Sequence, residues 1–77
     1  MSDKITHEIV RHLTTLGKSS GSWNKELNLV SWNGREPKLD LRDWPADHGK
    51  CGKGITLTYE EAQDLCAALT TYLKGGQ

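Results

Sequence analysis

Apolar and polar positions alternate along most of the first 57 residues, as expected for strands that bury one face. The first alternating segment runs from Ile5 to Leu16 and is rich in threonine and β-branched residues, which favour a strand. Its apolar residues also fit a helical stripe, so a helix stays open as the alternative. A flexible loop of glycine, lysine and serine, from Gly17 to Ser22, is predicted to follow.

A β-hairpin is predicted next along the chain. Two alternating segments, Trp23–Trp32 and Arg35–Trp44, flank Asn33 and Gly34. Both turn residues tolerate the positive φ that a tight hairpin needs, so this pair is a strong hairpin signal. Pro37 cannot donate a ladder hydrogen bond, which indicates an edge position or a bulge at the start of the return strand.

A short strand and a helix complete the predicted elements. A polar loop from Pro45 to Gly52 leads into a strand over Gly54–Leu57. Thr58 and Glu61 have the spacing of a capping box, which predicts that a helix begins there. The helix carries an apolar stripe that consists of Ala62, Leu65, Cys66, Leu69 and Leu73. Gly75 and Gly76 are predicted to end it.

These elements predict an α+β fold, in which a curved four-stranded antiparallel sheet is followed by one C-terminal helix. One helix can cover only one face of such a sheet. We expect it to cover the leucine face, formed by Leu27, Leu29, Leu39, Leu41, Ile55 and Leu57. The opposite face, called the tryptophan face below, would stay open to water. It carries Trp32, Lys38, Arg42 and Trp44.

The chain length allows one small domain over residues 1–77, with a polar leader at residues 1–4. A domain of this size has a marginal core, so we expect a partner subunit to help bury its apolar surface. The net charge is zero, which is unlike the basic character typical of nucleic-acid binding. Residues 1–57 carry nine basic and seven acidic residues, so a local basic face is still compatible with the sequence.

Several functional classes find little support in the sequence. The two cysteines form no Cys-x-x-Cys motif and no secretory leader is evident, so we expect a cytoplasmic protein with reduced thiols and no membrane span. His7 and His12 are five residues apart, and on a regular strand they would point to opposite faces and could not share a metal. His48 and Cys51 lack a second ligand pair. No serine has a placed base, so we expect no enzyme, cofactor or small-molecule substrate.

Tryptophans beside cations on a solvated sheet suggest binding of single-stranded nucleic acid. Bases stack on aromatic rings, and nearby cations neutralise phosphates. Trp32 and Trp44 would form two separated stacking platforms. The candidate site comprises Trp23, Lys25, Trp32, Arg35, Lys38, Arg42, Trp44 and Lys53. Trp23 could instead pack on its own chain, and the tryptophans could fill a dimer interface or cover a sheet edge.

The order of three motifs resembles a known family. The first motif, at 25–34, reads Lys-Glu-Leu-Asn-Leu-Val-Ser-Trp-Asn-Gly. The second, at 39–44, reads Leu-Asp-Leu-Arg-Asp-Trp, and the third, at 52–57, reads Gly-Lys-Gly-Ile-Thr-Leu and leads into the capped helix. This arrangement resembles the positive cofactor four family of transcriptional coactivators, most of all its small bacterial members, over residues 5–73.

The resemblance implies a homodimer whose helices pair and whose curved sheets bind single-stranded DNA. It implies stacking at Trp32, with Trp44 on or next to the position of the second stacking aromatic, and basic contacts at Lys25, Arg42 and Lys53. Eukaryotic members carry further basic residues where Gly52 and Val30 stand here, which predicts weaker binding and a shallower salt dependence. These 77 residues contain no counterpart of the long regulatory tail of those members, so we do not expect coactivator function from the resemblance.

The sequence leaves the biological process open between transcription regulation and DNA maintenance. RNA is an alternative ligand, because the same face would serve for both nucleic acids. A protein-interaction module that contacts the transcription machinery is a further alternative, and the neutral net charge favours it.

Overall fold

In a computed structural model, residues 5–75 are described, apart from the side chains of residues 19 and 20. The elements are β1 (His7–Ser20), β2 (Trp23–Trp32), β3 (Lys38–Trp44), β4 (Gly54–Leu57) and α1 (Tyr59–Leu73). The strands form one antiparallel sheet in the order β1-β2-β3-β4, and the helix follows it. The predicted α+β architecture is confirmed. The predicted leader at residues 1–4 and Gly76 lie outside the described part of the chain.

β1 is longer and less regular than predicted. Its 14 residues pair with the ten residues of β2, and four register shifts absorb the difference. Each bulge adds a residue without a partner and increases the local twist, so β1 bends strongly. The predicted loop over Gly17–Ser22 is wrong in its first part, because β1 continues to Ser20 and only residues 21 and 22 form the turn.

The predicted hairpin turn is confirmed between β2 and β3. Asn33 and Gly34 have φ angles of 54° and 74°, and the N–H of Arg35 donates to the carbonyl of Trp32 at 2.9 Å. β3 begins at Lys38 rather than at the predicted Arg35. The intervening Pro37 has no N–H to donate, which agrees with the late start of the strand.

The predicted helix caps are also found. Thr58 accepts a hydrogen bond from the N–H of Glu61, and the Glu61 carboxylate accepts one from the N–H of Thr58. The helix ends at Leu73, and Gly75 follows with a φ of 88°. Gly75 donates its N–H to the carbonyl of Tyr72 at 3.1 Å, which satisfies one of the free carbonyls at the helix end.

The buried residues lie mainly on the tryptophan face rather than on the leucine face. Val30, Trp44, Glu26, Asn28 and Asp40 are buried there, and the alternation of β2 and β3 places them with Trp32 and Arg42. The prediction that this whole face is open to water is therefore wrong. On the opposite side α1 has no buried residue and Ile55 is 53% exposed.

The bend of the sheet explains why the tryptophan face is covered. Trp32 and Trp44 stand at opposite ends of the β2–β3 pair in the strand register. Nevertheless the ring of His7, on β1, lies 6.0 Å from the ring of Trp32 and 5.0 Å from that of Trp44. A flat sheet could not place one side chain against both rings. The bulged β1 therefore bends over the sheet and encloses its centre.

Candidate nucleic-acid interface

Trp32 is the partly exposed tryptophan of the tryptophan face. It ends β2 directly before the hairpin turn and is half-buried. The guanidinium carbon of Arg42 lies 4.8 Å from the centre of its ring, which is a cation–π contact. The indole N–H is buried and has no hydrogen-bond partner. Beside the ring is a cavity of about 340 Å³, lined by Ile5, Trp32, Asn33, Arg42, Cys51 and Thr56.

Arg42 is held in place by its own chain. Its Nε and Nη2 atoms donate to the carboxylate of Asp40 at 2.9–3.2 Å, and Nη1 donates to the carbonyl of Gly52 at 3.0 Å. Asp40 is fully buried and also accepts from the hydroxyl of Thr56 at 3.0 Å. Asp40 therefore balances the charge of Arg42, and the guanidinium is positioned to support the Trp32 ring.

Trp44 does not present a ring to solvent. Its exposed fraction is 0%, and the rings of His7 and His48 lie 5.0 Å and 5.6 Å away. The expectation of an exposed platform at Trp44 is wrong, because His7 of the bent β1 and His48 of the loop after β3 cover the ring. The expectation of two stacking platforms is also wrong, since Trp44 is fully buried.

Trp23 and Lys25 lie away from Trp32. Lys25 is on the leucine face of β2, and its Nζ donates to Asp43 at 3.1 Å. The Trp23 ring packs on its own chain, because a Cβ added to Gly52 would lie 2.7 Å from it. A basic side chain at position 52 would therefore collide with Trp23. A basic residue at position 30 would be buried, since Val30 has an exposed fraction of 0%.

Three candidate cations are exposed and free of salt bridges within the described residues, namely Arg35, Lys38 and Lys53. Arg35 follows the hairpin turn that comes directly after Trp32, and Lys38 begins β3 opposite Val30. Lys53 precedes β4, and its carbonyl accepts from the N–H of Asp43 at 2.9 Å. These three side chains are the candidate residues that can contact phosphates without first breaking an ion pair.

A hydrogen-bonded cluster occupies the centre of the tryptophan face. Glu26 accepts from the Asn28 amide at 3.1 Å and from Nε2 of His48 at 2.9 Å. The Asn28 carbonyl oxygen in turn accepts from Nδ1 of His12 at 2.7 Å, and Nε2 of His7 donates to the carbonyl of His48 at 3.1 Å. The expectation that His7 and His12 point to opposite faces is wrong. A bulge between Ile9 and Arg11 brings both to the tryptophan face.

The surroundings of Glu26 change its titration. Burial by itself would raise the pKa of Glu26, but hydrogen bonds from Asn28 and His48 and the charges of His48 and His12 outweigh this effect. The pKa therefore lies below its ordinary value of 4.5. Glu26 is an ionised carboxylate at neutral pH, even though it is almost completely buried.

Asp40 and the Glu26 cluster were missed as functional candidates in the sequence. A usable signal exists, because Asp40 and Arg42 are two residues apart, as are Glu26 and Asn28, and such pairs share a strand face. The histidines had no comparable signal. His48 lies in a loop, where its φ is 55°. The bulge that turns His12 to the tryptophan face cannot be recognised from the alternation of apolar and polar residues.

No helix within residues 5–75 combines the length and the apolar character needed to cross a membrane. Across those same positions, no three histidine, cysteine or acidic side chains gather into a metal site. Cys51 and Cys66 are both free and exposed.

Comparison with known proteins gives two matches. A family model described as Transcriptional Coactivator p15 (PC4) matches residues 19–68, which include β2, β3, β4 and the first part of α1. An uncharacterized protein of Treponema pallidum (strain Nichols) is 44% identical over 61 residues. The alignment covers 79% of this chain and 72% of that protein.

Proposed function

Because this chain belongs to the Transcriptional Coactivator p15 (PC4) family, as its motifs predicted, we propose that it binds single-stranded DNA by stacking bases on Trp32. The family is a non-enzymatic family of DNA-binding proteins. The observation that carries the proposal is a half-buried tryptophan, held by a fixed arginine, beside a cavity at the end of β2.

The surroundings of Trp32 suit a stacking platform. Arg42 fixes the ring by a cation–π contact, and Asp40 fixes Arg42, so the ring loses little freedom when a base binds. Stacking of a base on an aromatic ring contributes about 1–3 kcal/mol and tolerates any base.

Phosphate contacts are assigned to the exposed cations Arg35, Lys38 and Lys53. Contacts to phosphates and ring faces read no base edges, so binding is largely independent of sequence. Lys25 and Arg42 already have acidic partners, which leaves few cations for phosphates. We therefore expect modest affinity and a shallow dependence on salt. Trp23 and Trp44 serve as packing residues in this scheme.

A homodimer is part of the proposal. Leu65, Leu69 and Leu73 on α1 are 40%, 47% and 75% exposed, and a groove of about 290 Å³ separates the helix from the leucine face. Apolar residues in a continuous exposed stripe favour association. A second copy of the chain, with its helix against this one, would bury them.

We place the protein in the cytoplasm, in transcription regulation or DNA maintenance.

The role of Trp32 is tested by substitution. Trp32→Ala should weaken binding of a fluorescent single strand by about 1–3 kcal/mol, or roughly 5- to 150-fold in Kd, because one stacked base loses its platform. Trp32→Phe should retain part of the affinity, since it keeps a ring. Lys18→Ala, an exposed change in β1, is the control. Equal losses from Trp32→Ala and Lys18→Ala in a fluorescence anisotropy titration would contradict stacking.

The same titration also tests whether the protein prefers DNA or RNA. Matched DNA and RNA strands compete for the labelled oligonucleotide, and we expect DNA to compete at least as well. A clear preference for RNA would indicate contacts to the 2′-hydroxyl and would reassign the ligand.

A further inference from the structure

A second cavity lies on the tryptophan face, away from the Trp32 ring. Its volume is about 400 Å³, and Ile9, His12, Glu26 and His48 line it. Ile9 and His12 belong to the bent β1, Glu26 to β2 and His48 to the loop after β3. The cavity therefore exists only because β1 bends over the sheet.

Glu26 gives this cavity a fixed hydrogen-bond acceptor. Asn28 donates to Oε1, and Nε2 of His48 is shared between Oε1 at 3.1 Å and Oε2 at 2.9 Å. A carboxylate can accept about four hydrogen bonds, so capacity remains on Oε2. These contacts also hold the carboxylate in one orientation, because the Asn28 side chain is itself bound by His12 and the His48 ring lies 5.6 Å from the Trp44 ring.

The charge of Glu26 restricts what can enter the cavity. Within residues 5–75 no lysine or arginine forms a salt bridge with Glu26, and the basic groups nearest to its carboxylate are the rings of His12 and His48. A carboxylate repels phosphate, so Glu26 disfavours the DNA backbone at this position. A base with an N–H group, by contrast, supplies the donor that Glu26 can accept.

We propose that this cavity binds a base that carries an exocyclic amino group, cytosine in a pyrimidine tract, with its N4 amino group donating to Glu26. Thymine presents a carbonyl oxygen at the same position and would face the carboxylate with another acceptor. The inference rests on the proposed function and deepens it, by adding one base-selective position to a surface that is otherwise tolerant of sequence.

The cavity is connected to the stacking site. The ring of His7 contacts Trp32, and its Nε2 donates to the carbonyl of His48, whose own ring reaches Glu26. A strand that stacks on Trp32 and continues along this face would bring a further nucleotide to the cavity. A base that enters it would lie beside side chains that the structure already holds in place.

The test compares two homopolymers of about 12 nucleotides, oligo-dC and oligo-dT, in anisotropy titrations with the full chain at neutral pH. We expect oligo-dC to bind about tenfold more tightly than oligo-dT, since the preference comes from one hydrogen bond to a charged group. In Glu26→Gln the ratio of the two Kd values should fall to about one, because the amide can also donate to the thymine carbonyl.

Two controls make the outcomes distinct. Glu36→Gln removes the same charge from an exposed position and should leave the ratio unchanged. Ile9→Trp adds bulk to the wall of the cavity and should abolish the preference while Glu26 itself is unchanged, with retained oligo-dT binding as the sign of a folded protein. Equal binding of both homopolymers by the unmodified chain would overturn this inference alone. Binding of neither would overturn the proposed function together with it.

Discussion

Trp32 and Trp44 share a sheet face, yet their surroundings give them different roles. Trp44 is enclosed by two histidine rings, whereas Trp32 keeps part of its ring accessible beside a cavity. The strand alternation correctly placed both residues on one face. It could not distinguish them, because their exposure depends on how far β1 bends, and that bend comes from bulges without a recognisable pattern.

The carboxylate of Glu26 makes folding sensitive to acid. Its pKa is lowered in the folded chain, so the unfolded chain takes up the proton first as the pH falls. The stability that Glu26 contributes is therefore present above its ordinary pKa of 4.5 and is lost as the pH falls through the lower folded-state value. Burial opposes this effect but is outweighed by the hydrogen bonds and the histidine charges.

Urea unfolding at a series of pH values checks this prediction. The free energy of unfolding should fall between about pH 5 and pH 3 more steeply in the unmodified chain than in Glu26→Gln. Glu60→Gln, an exposed change in the first turn of α1, is the control. Its free energy of unfolding should fall with pH as steeply as that of the unmodified chain, although the two curves will differ by a small constant amount. Identical slopes in the unmodified chain and Glu26→Gln would show that Glu26 has no lowered pKa.

Local chemistry decided which elements were predictable. The hairpin turn and the helix start are set by residues that are adjacent or three apart, namely Asn33 with Gly34 and Thr58 with Glu61. Both predictions are confirmed. β1 was predicted too short, because Gly17 and the serines after it are typical of a loop, whereas here they continue a bulged strand. Pairing with β2 overrides the local preference there.

The capping box should contribute measurably to stability. Thr58→Ala removes the side chain that accepts from the Glu61 N–H, and it should cost about 1 kcal/mol in the free energy of unfolding. Thr71→Ala, an exposed change within α1, should be neutral or slightly stabilising, because alanine favours helices. Urea denaturation measures both. A Thr58→Ala protein as stable as the unmodified one would show that α1 does not need its cap.

At the scale of the whole molecule, the centre of the tryptophan face is buried, whereas the leucine face is only half-buried. Buried charge and amide groups are satisfied by Arg42, Thr56 and the histidines, whereas the leucines of α1 remain exposed. The sequence correctly predicted which residues share each face of the sheet, but it assigned the core to the leucine face instead of the tryptophan face. Alternation identifies two faces without stating which one the rest of the chain covers.

The dimer is tested by its mass. The unmodified protein should sediment at twice the 8.6 kDa of one chain. Leu69→Glu places a charge in the exposed apolar stripe and should give monomers, because a buried unpaired carboxylate is costly. Thr71→Glu adds the same charge on another side of α1 and should remain dimeric. A monomeric unmodified protein in sedimentation velocity would contradict the dimer.

The central claim is that this chain binds single strands through Trp32. It is tested most directly by titrating the protein with a labelled single strand of about 20 nucleotides and with the matching duplex, at low and moderate salt, while following anisotropy and tryptophan fluorescence. We predict that the single strand binds much more tightly than the duplex, quenches the tryptophan emission and binds less tightly as salt rises. Equal affinity for both forms without quenching, or no binding to either at low salt, would contradict the account.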